Sequence, residues 1–552
     1  MQVVIRSKAV DCTTRSTGGA RTHPAAVRLL AGLGCVFAAT PVAAESWRLS
    51  ASASATETYT SNANYSPTSF AEGDFVTSVT GALQVRGEGA RLKLNGSVAG
   101  TGTFYATQTQ NNSFAPSVNL AGNLEAIEKF AYVDAQASVS QTFLSPFGAQ
   151  PGDLVNATQN RYTQQTYSVS PYVKGVLPSS NVSYQLRDDN YWTVASPFGN
   201  SSADVPNTYS NVLSASMSSP VNPWGWTLSY TRSYYSNGLT SIRGIPNADG
   251  VVDDATTYHN FLATLPYQID PQLQLSLRAG YQSYQFAAPS LQEGSYGIGF
   301  QWSPTDRTQV GGYWDHTFYG SSYSVQVSHR LPNAALSANA SRGLSSYPQL
   351  SLSIPAGATV SQFVDAAFTT RIPDPAGRAQ AVDQFLARTQ LPSTLATPAN
   401  FYATTLTLQD TANVSLVLIG MRNSVGFSVF YVKSQAISDA GNVLPPGFEE
   451  LGQNYTETGV GVSYGFSLSP LTNVAANASY STTTSDTSTD GGAKPRSNNI
   501  NANVSLNTRF GPKTTGSAGV GYSWSKTRTI TDNTFTDNIS SLNVSVTVSH
   551  TF

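Results

Sequence analysis

Cysteine, charge and long apolar runs are all scarce in this 552-residue chain, and each scarcity excludes a class of protein. The two cysteines, Cys12 and Cys35, lie within the first 44 residues, so residues 45–552 can hold neither a disulfide scaffold nor a thiolate metal site. Charged residues make up 11% of the chain, far below the roughly one quarter usual in soluble domains. Beyond residue 44 no stretch reaches the ~18 consecutive apolar residues of a spanning helix. A form of this chain that crosses a membrane must therefore do so as a closed strand barrel, where every backbone polar group finds a partner. Of the 30 basic and 32 acidic residues, five and one precede residue 45, leaving 25 against 31; that mild acidity argues against a nucleic-acid partner.

What is present is 44 Gly, 28 Tyr and a wealth of uncharged Ser, Thr, Asn and Gln, which supply polarity without charge. Residues 1–44 read as a secretory signal: Arg6, Lys8, Arg15, Arg21 and Arg28 precede an apolar run from Leu29 to Ala39, and Pro41-Val42-Ala43-Ala44 places cleavage after Ala44. Gly32-Leu33-Gly34 before Cys35 lacks the Leu of a lipidation site.

The main signal is a period of two. Leu542, Val544, Val546, Val548, His550 and Phe552 interleave with Asn543, Ser545, Thr547, Ser549 and Thr551. Successive strand side chains point to opposite faces, so one set can meet lipid while the other meets water. The same pattern holds for Ile500, Ala502, Val504 and Leu506 against Asn501, Asn503, Ser505 and Asn507, and for Val460, Val462, Tyr464, Phe466 and Leu468 against Gly and Ser. Short polar turns such as Gly87-Glu88-Gly89, Asp270-Pro271, Met421-Arg422-Asn423 and Gly511-Pro512-Lys513 alternate with longer connections, as periplasmic turns and extracellular loops do. Trp47, Trp224, Trp226 and Trp302 fall at short-turn ends and Trp192 near a long-loop end, the interface positions of an aromatic belt. The pattern predicts an all-β fold over residues 45–552: a transmembrane antiparallel up-and-down barrel of about 22 strands, between about 18 and 24, in the outer membrane of a Gram-negative bacterium. Thr257 to Ile269 and Thr405 to Ile419 alternate poorly.

Trp47-Arg48-Leu49 with Glu57-Thr58-Tyr59-Thr60-Ser61-Asn62, Asp74-Phe75-Val76-Thr77 and Gly89-Ala90-Arg91-Leu92 open a likeness that covers most of the chain after the signal. It continues through Asp374-Pro375-Ala376, Val382-Asp383-Gln384-Phe385-Leu386, Arg422-Asn423, Phe427-Ser428-Val429-Phe430-Tyr431 and Leu468-Ser469-Pro470. In these motifs the chain resembles the outer-membrane barrel proteins associated with PEP-CTERM and exopolysaccharide loci. The resemblance implies an outer-membrane barrel serving exopolysaccharide export, and supplies no catalytic residues.

The residues themselves give little sign of catalysis. Asp188-Asp189, Asp253-Asp254 and Asp315-His316 are chain neighbours, and neighbours in a strand point to opposite faces, which no acid–base pair tolerates. His259, His316, His329 and His550 sit in no nucleophile elbow or zinc motif. No cofactor, metal or catalytic residue is expected. Arg86, Arg91, Lys93, Glu125, Asp134, Lys174, Arg187 and Asp189 occupy the polar register and are expected to line the lumen, either as a wet channel wall or as cross-strand pairs that stiffen it.

The longest connection, residues 345–400, carries the one helical signal after the signal peptide: Asp374 as N-cap, Pro375 at the first position, then Ala379, Val382, Phe385 and Leu386 at helical spacing, with a second short helix over Ser361–Phe368. It is expected as a helix-containing extracellular loop, with Val382, Phe385 and Leu386 in a constriction at the mouth. Strands begin soon after the signal, which argues against TonB-type import through an N-terminal plug. The expected function is a pore or export conduit for a substrate such as exopolysaccharide. A structural or glycan-binding barrel is the alternative and an embedded hydrolase the third reading.

The partners expected are outer-membrane lipid and the barrel-assembly machinery, the latter through Phe552, the aromatic end of the apolar face of the last strand. Deleting Phe552 should lower outer-membrane levels several-fold; undiminished levels on fractionation would remove that role.

Overall fold

A computed structural model describes residues 46–552 except 200–206, 237–254, 286–290, 354–358, 400, 402, 404–405, 437–453, 487–493 and 532; the signal at 1–44 lies outside the described residues. Alternating sequence becomes 22 strands in one antiparallel sheet. They are β1 (Ser46–Thr60), β2 (Asp74–Glu88), β3 (Leu92–Tyr105), β4 (Ser113–Ile127), β5 (Ala131–Phe143), β6 (Arg161–Leu177), β7 (Val182–Pro197) and β8 (Thr208–Ser218). Next come β9 (Thr227–Ser236), β10 (Ala255–Asp270), β11 (Leu273–Gln285), β12 (Leu291–Thr305), β13 (Thr308–Thr317), β14 (Gly320–Leu331) and β15 (Ala334–Ser345). The last are β16 (Thr407–Ile419), β17 (Asn423–Ala436), β18 (Tyr455–Ser467), β19 (Thr472–Ser485), β20 (Arg496–Arg509), β21 (Thr514–Thr531) and β22 (Asn533–Thr551).

Each strand pairs with its chain neighbours, and β1 pairs with β22 from Ser52 opposite Thr551 to Thr60 opposite Asn543, so the sheet closes. Along that pairing neither strand presents an open edge to lipid, where an unpaired N–H or C=O would cost several kcal/mol. On the inner face of the seam, Thr56 and Thr547 hydroxyls bond at 2.8 Å and Thr60 and Ser541 at 3.0 Å.

Register assigns the faces. Leu542, Val544, Val546 and Val548 are exposed on the outside while Ser541 and Asn543 are buried inside. Opposite them, Tyr59 meets Val544 and Ala55 meets Val548, so the greasy set is continuous across the seam. Exposed Trp47, Trp224, Trp226 and Trp302 ring the short-turn end, with Trp224 and Tyr267 centroids 4.3 Å apart. Exposed Tyr59, Phe75, Phe104 and Trp192 belong to the opposite belt. An apolar band between two aromatic rings is the outer surface of an outer-membrane barrel.

Three helices lie between β15 and β16: α1 (Tyr347–Leu352), α2 (Val360–Phe368) and α3 (Pro375–Thr389). Asp374 caps α3, its carboxylate accepting from Gly377 N at 2.7 Å. Rather than standing outside the barrel, the segment descends within the wall. Val360, Phe363, Val364, Ala367, Val382 and Phe385 are buried against Ala335, Val417 and Ile419, which are inner-face residues near the short-turn ends of β15 and β16. This explains the poor alternation of β16: its lower inner face meets protein instead of water, so both faces are apolar.

Arginine placed at position 546, on the lipid face, should destabilise the barrel by about 2–4 kcal/mol near mid-membrane depth. Thr547→Arg, next in sequence and facing inward, should change the unfolding midpoint little. Equal midpoints for the two variants in denaturant titrations would reverse the assigned faces.

Candidate functional site

The inner wall divides into a filled side and a wet side. On the filled side, strand glycines make room for the inserted segment. A Cβ on Gly465 would collide with Thr389 O, and one on Gly461 with Ala396 Cβ, so only glycine admits the backbone this close. Ser428 Oγ donates to Ala396 O at 2.9 Å and Ser467 Oγ to Arg388 O at 3.4 Å, tying the segment to β17 and β18. Across the lumen α1 reaches β6 to β8: Tyr347 and Tyr162 hydroxyls bond at 2.5 Å, Ser351 and Thr166 at 3.1 Å, and Ser346 Oγ donates to Ser210 Oγ at 3.2 Å.

A second connection, between β5 and β6, also turns inward. Asn156 Nδ2 donates to Thr60 Oγ1 at 3.0 Å, to Asn62 O at 2.7 Å and to Ser541 Oγ at 2.9 Å, while Asn543 Nδ2 donates to Asp153. Burial pushes the Asp153 carboxyl above the usual carboxylate range, against the opposing pull of the Asn156 and Asn543 donors and of Arg161. The two inward segments meet where Phe143 and Phe147 pack with Ala399, Phe401 and Tyr455.

The wet side carries most of the charges singled out in the sequence. Arg187 bridges Asp134 on β5 and Asp189 on β7, each at 2.7 Å. Asn123 Nδ2 donates to the same Asp134 at 2.6 Å. Tyr132 and Tyr172 stack with centroids 5.1 Å apart, Lys174 lies over Tyr132 at 4.7 Å, and Arg187 lies over Tyr172 at 4.9 Å. Glu125 accepts from Tyr132 Oη at 3.4 Å near the short-turn end. Arg86 pairs with Glu88 at 3.2 Å, with Lys93 opposite Glu88 on β3; these are solvated and hold the wall weakly. Arg91 departs from the expectation: it lies in the turn between β2 and β3, because Gly89 and Ala90 end the ladder before it.

Val382 and Phe385 face the wall cluster with Leu386 packed at its edge, so they anchor the inserted segment rather than project into open space.

Sequence reading passed over a second inner-wall group. Arg278 on β11 forks onto Asp315 on β13 at 2.7 and 2.9 Å and lies 4.2 Å from the Tyr313 ring centroid. It borders a recess of about 390 Å³ lined by Gln274, Ser276, Gln301, Gln309 and Gln326. The signal was present in the shared parity of Tyr313 and Asp315. His316, next in sequence, faces outward and stacks on Tyr296 at 5.2 Å, so the Asp-His pair is split by the pleat. Among the described residues no three His, Cys, Asp or Glu side chains converge to hold a metal.

No family model and no curated protein matches the chain. Among solved structures it is similar to the siderophore receptor PirA from Pseudomonas aeruginosa, with 9% identity, 92% of this chain and 80% of that one covered, and a TM-score of 0.42. PirA from Acinetobacter baumannii gives 9% identity, 93% and 81% coverage and a TM-score of 0.44. The ferric citrate transporter FecA in the unliganded form gives 11%, 92%, 79% and 0.44.

Arg187→Ala would leave Asp134 and Asp189 as uncompensated carboxylates on the inner wall. The wall should lose about 1.5–3 kcal/mol, the scale of hydrogen bonds to charged groups. Reversal potentials in asymmetric salt should move toward cation selectivity, and an unmoved potential would show that ions do not pass this cluster.

Proposed function

We propose that this outer-membrane barrel is a pore, narrowed by its own inserted segment, that passes neutral or weakly acidic glycan. The observation carrying this reading is the unequal inner wall. The segment from β15 to β16 covers β14 to β19 and, through α1, the long-loop ends of β6 to β8, while Ser117, Asn119 and Gln136 remain exposed on the inner face of β4 and β5. Charges on the wet side are largely balanced, with Lys174 beside the Asp134–Arg187–Asp189 triad and Arg278 paired with Asp315, so the path neither strongly attracts nor repels a lightly charged polymer. Tyr132, Tyr172 and Tyr313 add flat faces suited to sugar rings, with amide and hydroxyl groups around them for sugar hydroxyls. The likeness to exopolysaccharide-locus barrels makes an exported exopolysaccharide the specific substrate in this reading.

A glycan-binding barrel without flow is the second reading, favoured by the contact of the two inward segments at Phe147, Ala399 and Phe401. Conductance separates the two. Val360 N bonds Ser393 O at 3.0 Å, so deleting Ser361–Arg388 leaves ends that can rejoin without moving β15 or β16. The deletion should raise single-channel conductance several-fold and sensitise cells to large antibiotics. A deletion variant that assembles with both quantities unchanged would favour the binding role.

A further inference from the structure

Outward charge elsewhere on the wall, such as Glu57 of β1, stands close to a strand end, whereas the outer wall of β7 to β9 carries charge near mid-strand. Between exposed Leu186 and Trp192, on the same side of β7, stand Asp188 and Asn190. Asp188 accepts from Asn211 Nδ2 at 2.6 Å and from Asn190 Nδ2 at 3.0 Å. Asn190 Oδ1 accepts from Tyr209 Oη at 2.8 Å and Asn211 Nδ2 at 3.1 Å. Leu213 on β8 is opposite both Asp188 on β7 and Arg232 on β9, so an anion and a cation flank one leucine on the outer surface. Neither has an ion-pair partner of opposite charge among the described residues, unlike Arg342 and Asp410, which pair at 3.2 Å close to their strand ends.

A carboxylate and a guanidinium midway along lipid-facing strands are costly unless protein covers them. The identity of the cover is set by the charge pattern. A two-fold axis along the membrane normal through Leu213 reverses the strand order of a second copy. Asp188 of each copy then faces Arg232 of the other. Strand tilt raises Arg232 above Asp188 by ~6 Å over two strand spacings, within the reach of an arginine side chain. Trp192, Tyr209 and Tyr234 flank the pair, ring centroids 5.6 and 6.1 Å apart, supplying the aromatic surface common in interface cores. We infer that the outer face of β7 to β9 is a membrane-embedded dimer interface whose occupant is a second copy of this chain, held by reciprocal Asp188–Arg232 pairs. This assignment does not depend on what the lumen passes.

The two cysteines, Cys12 and Cys35, precede residue 46, and with both replaced by serine in every variant the single introduced cysteine reports cleanly. Leu213→Cys, lying on the axis, should form an oxidant-dependent species of twice the mass in intact outer membranes, at least tenfold above Val520→Cys on the wall near the seam. In the Leu213→Cys background, Asp188→Arg should abolish the species and Asp188→Arg with Arg232→Asp should restore it. Cross-linking of folded Leu213→Cys no greater than that of Val520→Cys would overturn the inference. So would a cross-linked band of another mass, or a folded charge-swap variant that fails to recover the dimer. Leu213→Cys leaves the charges intact, so its result stands even where Asp188→Arg fails to assemble.

Discussion

Backbone pairing between β1 and β22 is the constraint on which the rest of the molecule depends. In hydrocarbon a single open edge would expose a row of unpaired peptide groups, so the wall exists closed or not at all. Once closed, it fixes which side chains face lipid and which face the lumen, and everything chemical depends on that parity. Asp315 and His316 show its force: adjacent in sequence, one joins Arg278 inside and the other stacks on Tyr296 outside.

The lumen shows how a wide barrel is narrowed on one side by a connection between two of its own strands. The inserted segment draws its stability from apolar contacts that would otherwise be water-filled wall, with Val382 and Phe385 set against Val417 and Ile419. Its close seating depends on what the wall lacks, since the glycines of β18 leave side-chain-sized room for backbone. The wet side is built oppositely, from paired charges and stacked tyrosines that hold their geometry while facing solvent.

Strand number, turn polarity and Trp placement are legible in the sequence because alternation and turn chemistry are local properties. The lumen charges on β4 to β7 are legible for the same reason, since parity in one strand settles facing. What stays hidden depends on distant pairing. That Ile419 and Val417 meet a helix cannot be read from β16, where apolar residues on both faces only blur the period. Asp188, between inward Arg187 and Asp189, is turned outward by the same parity, but its place beside Asn211 emerges only once β7 and β8 are in register. Arg91 reads as a strand residue because a turn boundary shifts by a residue or two without altering the pattern around it.

The position of the inserted segment in the chain has a consequence for the order of assembly. Part of its seat, on β16 to β19, comes after it in sequence, so the helices cannot complete their final bed while the chain is built only as far as β15. They must wait, tethered at one end, until the last third of the wall arrives. The seam between the first and last strands comes later still, since β22 is the last strand in the chain, so the bed of the insert is complete before the wall can close.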